Sequence, residues 1–287
     1  MKYKGYKDFT KEEQENIVKL YKENVLSTVK IGKQYGVTHK VISRVLDLYG
    51  INRVGNGQRK YFLNEHYFDE IDTPEKAYIL GFFYADGSNN ISKQTVSMSL
   101  QEEDKNVLEQ IRLNIGSERP LEFLDYSNKH DFGYSYKNQY RLLIFSKCIC
   151  NQLNNLGMTP NKSLTLEFPN WLNPELYSHF IRGYFDGDGS YCAYYTKSQK
   201  FQPLLTFTST ESFCKKIQEI LIDKLDIPGG NIYDASCHNG ITKVLSISGS
   251  IQVKKILDWL YKDSTIFLQR KFDKYYSSFY VNNSVSA

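Results

Sequence analysis

The feature that most constrains this chain is a segment that occurs twice, at residues 73–88 and 173–190. Each copy opens with a helix-capping residue and a proline at the first helical position, Thr73-Pro74 and Asn173-Pro174, where a missing N–H costs nothing. Each runs through apolar and aromatic residues and stops at Asp-Gly-Ser, the glycine suiting a helix end. Inside each, two small residues sit four apart, Gly81 and Ala85 in the first copy and Gly183 and Gly187 in the second. On a helix that spacing makes a flat stripe along which two backbones can approach closely. If the stripes face each other, both helices end together and carry Asp86 and Asp188 to one place. Paired carboxylates repel unless a cation lies between them. A plain packing pair with solvated terminal aspartates is the alternative, and the duplication of start, stripe and stop favours a metal site.

The segments Ile79–Gly87 and Ile181–Gly189 resemble the paired signatures of the LAGLIDADG homing endonucleases. The first copy has Tyr84 where that family usually has an acid, and Arg182 replaces a small residue in the second. The last aspartate of each copy, the family's metal ligand, is present. The resemblance covers about residues 73–280. It implies that Asp86 and Asp188 each bind metal at one scissile phosphate, one per strand, for a staggered cut across the minor groove. It further implies that Gln101 is the polar residue organising the attacking water, with Thr208 or Ser209 at that place in the second copy. Lys162 and Lys271 match the basic residue that follows each repeat's last helix, where positive charge stabilises the transition state.

The stretches after each signature carry the same order of patterns. Thr95, Ser97, Ser99 and Gln101 alternate with Val96, Met98 and Leu100, as in a sheet with one dry and one wet face. Helical spacing follows through Val107, Leu108, Ile111 and Ile115, then strands at 133–140 and 140–145 and a helix near 147–156. The second copy predicts strands at 190–195, 203–208, 231–236 and 242–247, with helices at 211–224 and 250–261 and a final helix to about Tyr280. The fold class is α+β, with two pseudo-symmetric αββαββα repeats around a central helix pair. The wet strand faces would form one saddle suited to DNA, with Lys93, Thr95, Ser97, Ser99, Lys137, Arg141, Lys197, Lys200, Thr206 and Thr208 as contributors.

Ahead of the repeats, residues 10–26, 28–35 and 38–49 read as three short helices. Gly32 allows a close crossing, and Val37, Val41, Ile42, Val45 and Leu46 face inward. The pattern resembles a helix-turn-helix whose third helix shows His39, Lys40, Ser43, Arg44 and Asp47 to the DNA major groove; a module binding protein, or nothing, is the alternative. Residues 1–60 hold 13 Lys and Arg against 6 Asp and Glu, whereas the rest of the chain is slightly acidic, so the front end is the part suited to a polyanion. Residues 51–61 read as a basic linker, and Arg53, Arg59 and Lys60 could track a groove. The expected domains are 1–52 (helix-turn-helix), 53–72 (linker and lead-in), 73–170 (repeat 1) and 171–287 (repeat 2).

Composition closes off other chemistries. The five cysteines form no Cys-x-x-Cys pair, which argues against a disulfide frame or zinc site. None of the five histidines lies in a nuclease-type metal pattern, and no glycine loop is built to cradle phosphates. Two carboxylates without a His or Cys cluster point to a hard cation, Mg²⁺ or Mn²⁺. With no membrane-length apolar run and no leader, a cytoplasmic or organellar place is expected. The expectation is a monomeric, metal-dependent double-strand DNA endonuclease with a long asymmetric target. A non-catalytic DNA-binding regulator and an RNA maturase on the same fold are the rivals.

Overall fold

The computed structural model describes residues 5–22, 26–51, 61–127, 130–131, 134–198, 200–235 and 242–281. They divide into two compact units, one within Met1–Lys60 and one within Tyr61–Ala287.

The first unit holds three helices, α1 (Lys11–Lys22), α2 (Thr28–Gln34) and α3 (His39–Leu48). A reciprocal cap starts α1: Thr10 N–H donates to Glu13 Oε2 at 2.9 Å and Glu13 N–H to Thr10 Oγ1 at 3.2 Å. Ser27 caps α2 through Lys30 N–H. Phe9, Ile17, Tyr21, Ile31, Ile42, Val45 and Leu46 form the core, with Val37 and Val41 packed at its edge. A Cβ on Gly32 would lie 2.7 Å from the Val37 carbonyl oxygen, so the crossing after α2 requires glycine.

The second unit contains the repeats. The first comprises α4 (Pro74–Asp86), β1 (Ser88–Asn90), β2 (Thr95–Gln101), α5 (Lys105–Asn114), β3 (Glu122–Leu124), a two-residue hairpin β4 (His130–Asp131) and β5 (Tyr134–Ser135), β6 (Gln139–Phe145) and α6 (Lys147–Asn155). The second comprises α7 (Tyr177–Asp188), β7 (Gly189–Tyr195), β8 (Phe201–Ser209), α8 (Glu211–Leu225), β9 (Asn231–Asp234), β10 (Lys243–Ser248), α9 (Ser250–Tyr261) and α10 (Gln269–Tyr276). Two antiparallel four-stranded sheets result, ordered β1-β2-β6-β3 and β7-β8-β10-β9. The orders correspond strand for strand, which makes the unit an internal duplication.

The strand expected at 133–140 is reduced to the short β5, which lies outside the four-stranded sheet. The sheet's outer strand is β3, which pairs Glu122 with Arg141 and Leu124 with Gln139. Three residues are too few to show an alternation of two, so the pattern could not reveal it. Residues 61–72, expected as part of a linker and lead-in, bury Tyr67 and Phe68 in the core of this unit.

One apolar core runs through both repeats. Val96, Met98 and Leu100 of the first sheet and Leu205, Phe207, Leu245 and Ile247 of the second face inward onto it. Alternate strand residues therefore face away from the core, which leaves each sheet a solvent face that mixes polar residues such as Ser97, Ser99, Thr206 and Thr208 with Leu143, Leu204 and Val244.

Candidate metal and nucleic-acid site

The site is built where α4 and α7 cross. Helices ordinarily pack with axes ~8–10 Å apart because side chains hold them off. Here an added Cβ on Gly81 would lie 2.0 Å from the Phe180 carbonyl oxygen, and one on Gly183 would lie 2.0 Å from that of Tyr78. The two clashes are mates: Tyr78 stands three residues before Gly81 as Phe180 stands three before Gly183. A local twofold axis therefore runs between the glycines. Toward the ends of the helices, a Cβ on Gly187 would meet Ala85 Cβ at 2.3 Å and Asp86 Oδ2 at 3.2 Å. The carboxylate of α4 thus lies against the residue that precedes Asp188 on α7. Backbone contact along the stripe fixes that meeting.

Asp86 and Asp188 remain open to solvent, yet protein surrounds them closely enough to penalise their charged forms. Burial pushes the Asp86 carboxyl up to about 6, and the charge of Asp188 adds to the effect. Burial also raises Asp188, against the opposing pull of Lys162 and Lys271. Carboxylates in this state are relieved by a cation.

Lys162 and Lys271 are buried behind the pair, each at the end of a signature helix. Lys162 Nζ donates to the carbonyls of Ala85 and Gly87 at 3.0 and 2.7 Å. Lys271 Nζ donates to those of Phe185, Asp186 and Gly189 at 2.6, 2.9 and 2.6 Å. Neither lysine is a solvated helix-end cation. A lysine ammonium has three N–H donors, so Lys271 has none left over and acts on the site as a held charge. Burial lowers its pKa to about 8 and lowers that of Lys162 too.

Behind α7 lies a polar cluster that the sequence did not disclose. Asp186 is fully enclosed and accepts hydrogen bonds from Tyr78 Oη at 2.8 Å, Tyr261 Oη at 3.3 Å and Leu268 N–H at 2.8 Å. Burial raises its pKa to about 6. The Tyr78 bond joins the two repeats directly. Arg182 is fully buried and donates to the carbonyls of Ile266 and Leu260 and to His179 Nδ1, at 3.2, 2.8 and 2.9 Å. Burial, helped by the Arg182 charge, brings His179 down to about 4, so the ring is neutral and free to accept. The large residue in place of a small one therefore ties α7 to the segment leading into α10. In the first repeat, Tyr84 Oη donates to the Leu156 carbonyl and Asn89 holds the carbonyls of Cys150 and Met158.

Both sheets begin at the aspartates: β1 starts at Ser88 and β7 at Gly189. On the solvent faces lie Thr95, Ser97, Ser99 and Arg141 of the first sheet and Thr206 and Thr208 of the second, all half-buried. Arg141 Nε donates to Ser99 Oγ at 3.1 Å. Lys93 is exposed in the β1–β2 turn, as are Lys197 and Lys200 in the β7–β8 turn. Gln101 ends β2 exposed, and Lys137 Nζ donates to its Oε1 at 3.1 Å. The two line an open cavity of about 520 Å³ with Glu102, Glu103, Ser127, Tyr136 and Asn138.

The register identifies the second-repeat counterpart of Gln101. Ser88, two residues past Asp86, pairs with Ser97; Ser190, two past Asp188, pairs with Thr206. Four residues on from those partners come Gln101 and Thr210, so neither Thr208 nor Ser209 is the match. Thr210 is buried, donates to the Leu166 carbonyl at 2.5 Å and caps α8 by accepting from Phe213 N–H. The halves thus differ at this place.

In the first unit His39, Lys40 and Arg44 are exposed and Ser43 is half-buried, its hydroxyl turned to the His39 carbonyl. Arg53, Arg59 and Lys60 lie outside the described residues. Among the described residues no three His, Cys, Asp or Glu gather as a ready-made metal cage, and no helix is long and apolar enough to cross a membrane.

No family model matches the chain. Among curated proteins it is 33% identical over 113 residues to DNA-directed RNA polymerase subunit Rpo1C of Methanocaldococcus jannaschii, covering 39% of this chain and 12% of that protein. It is 26% identical over 206 residues to the isomerizing glutamine–fructose-6-phosphate aminotransferase of the same organism, covering 70% of this chain and 17% of that one. The chain therefore spans less than a fifth of the length of these curated relatives. Among solved structures it is similar to I-SmaMI bound to an uncleaved DNA target in the presence of calcium ions, at 15% identity and TM-score 0.49, covering 75% of this chain and 93% of that one. It is also similar to the LAGLIDADG meganuclease I-AabMI bound to uncleaved DNA, at 16% and 0.46, covering 75% and 92%. The I-LtrWI LAGLIDADG homing endonuclease bound to target DNA gives 11% and 0.44, covering 74% and 89%. Likenesses this distant leave the function to be argued from the site itself.

Proposed function

We propose that this chain is a site-specific double-strand DNA endonuclease of the homing type, acting as a monomer on a long asymmetric target with Mg²⁺ or Mn²⁺. The observation that carries the reading is the arrival of Asp86 and Asp188, one from each repeat, at one solvent-open place from which the solvent faces of the two sheets depart. The donor set fits such a metal. Mg²⁺ is commonly held by one or two carboxylates, with water and substrate phosphate completing its shell, so a third acidic residue is not required. When bound, the metal supplies charge neutralisation at the scissile phosphate and a water activated near neutral pH.

The chain's own residues do the rest. Asp86 and Asp188 hold the cation and set where the phosphates sit. Lys162 and Lys271 fix the ends of α4 and α7 and keep positive charge behind the carboxylates without leaving their carbonyl partners. Gln101, open to solvent in the first half, orients water or phosphate there. Thr95, Ser97, Ser99, Arg141, Thr206 and Thr208 meet base edges and phosphates along the duplex, with Lys93, Lys137, Lys197 and Lys200 at the margins. The helices of the first unit act as a helix-turn-helix and offer His39, Lys40, Ser43 and Arg44 to a major groove, and Arg53, Arg59 and Lys60 add basic contacts to DNA.

The test is incubation with a library of duplex sequences and Mg²⁺, followed by sequencing of the ends. Staggered breaks at one long sequence are expected. Retention of one duplex without breaks would favour the non-catalytic regulator, and preference for structured RNA would favour the maturase.

A further inference from the structure

The twofold relation of the repeats fails at one charged contact. Arg270, the neighbour of Lys271 on α10 of the second repeat, donates its Nε to both oxygens of Asp104, at 3.0 and 3.1 Å. Asp104 belongs to the first repeat, in the short turn Glu102–Asp104 that follows Gln101 and leads into α5. Its side chain is 6% exposed while that of Arg270 is 53% exposed, so the carboxylate is an anchor and the guanidinium is presented to solvent. Among the described residues the two terminal nitrogens of that guanidinium have no hydrogen-bond partner. The Glu102–Asp104 turn follows β2, which pairs with β1 two residues past Asp86, so the Arg270 guanidinium is held by the half that carries Asp86.

This arrangement has no mate across the axis. Lys162 and Lys271 occupy equivalent places, so the counterpart of Arg270 is the neutral Asn161. The turn that carries Asp104 is missing too, because β8 ends at Ser209 and α8 begins at Glu211 with only Thr210 between them. One end of the carboxylate pair therefore has an exposed, pre-aimed arginine beside it, and the other has none.

We propose that Arg270, aimed by Asp104, is a phosphate-binding residue for the strand held at Asp86 alone, so that the two strands are cut by unequal machinery. The inference rests on the endonuclease reading above. A guanidinium fixed through Nε still has its terminal N–H groups, which can take a phosphate as a bidentate fork. The ammonium of Lys271 is fully engaged and that of Lys162 is buried with two of its three donors used, so Arg270 is the exposed cation beside them with a pair of N–H groups to give.

The experiment uses the full chain and the duplex recovered from the library, carried on a supercoiled plasmid. Arg270→Ala leaves Asp104 buried without its partner, so it is compared with the Arg270→Ala/Asp104→Asn double variant, which removes the orphaned charge. Both variants are expected to accumulate plasmid nicked always in the same strand. The rate on one strand should fall roughly ten- to hundredfold, the worth of a charge-assisted hydrogen bond, while the other is unchanged. A second readout needs no cleavage. In EDTA, the slope of log affinity for the same duplex against log salt should become shallower by ~0.9, one phosphate contact. Equal slowing of both strands overturns the proposal, as does an unchanged salt slope. If the wild type binds the duplex but never cuts it, the endonuclease reading fails separately and the salt slope alone decides the role of Arg270.

Discussion

Gly81 and Gly183 are the residues on which the meeting of the aspartates depends, and alanine at either is the most revealing single change. The new Cβ would stand 2.0 Å from a carbonyl oxygen of the facing helix, whereas ordinary contact begins at 3.4 Å. The obstruction is backbone, so no rotamer can relieve it, and the helices must part by about 1.4 Å to restore normal contact. Overpacking of this kind costs ~1–3 kcal/mol, and the upper end applies where backbone has to move. Replacing glycine within a helix returns ~1 kcal/mol of propensity. A net loss of about 2 kcal/mol is expected for each substitution in urea unfolding at unchanged slope. The double variant should cost less than twice that, since helices already parted by one methyl accept the second more easily. Parting the helices also displaces the aspartates by about 1 Å, enough for a loss of ~100-fold in cleavage. Wild-type stability in both single variants would refute the account of how the site is assembled.

Tyr78→Phe removes the hydroxyl that reaches across the axis to Asp186 and leaves that buried carboxyl one donor short; a loss of about 1.5–3 kcal/mol is expected in the same assay. In metal-free protein, the raised pKa of Asp86 means that its ionisation opposes folding, so its contribution to stability falls as pH rises from its ordinary value of 3.8 through about 6. The melting temperature of Asp86→Asn should therefore rise relative to wild type across that window and hold its lead above it, and a lead that is constant from pH 4 to 8 would show that the carboxylates do not feel one another or their burial.

Much of this architecture was legible because it was written twice. The small-residue stripes predicted a helix pair in backbone contact, and the structure has that pair with each glycine against the other helix's carbonyl. Val96, Met98 and Leu100 gave the dry face of β2 because seven residues suffice to show an alternation, while three residues of β3 did not. The unread parts share one cause, which is dependence on contacts between distant segments. The places of Lys162 and Lys271 could be read from the repeat, but the carbonyls they cap could not. Arg182 looks like a tolerated substitution, yet the orphan carbonyls of Leu260 and Ile266 require a donor of its reach. The counterpart of Gln101 was hidden because the β7–β8 hairpin is longer than the β1–β2 hairpin, and only ladder pairing restores the count.

The claim that Asp86 and Asp188 form one metal-dependent cleavage site is tested most directly by strand-resolved cleavage of the selected duplex with wild type and with the Asp86→Asn/Asp188→Asn double variant, alongside binding measured in EDTA. The double variant is expected to cut neither strand at any Mg²⁺ concentration while holding the duplex at least as tightly as wild type, because two repelling charges beside the phosphates are gone. Breaks at the same positions from the double variant would contradict that claim.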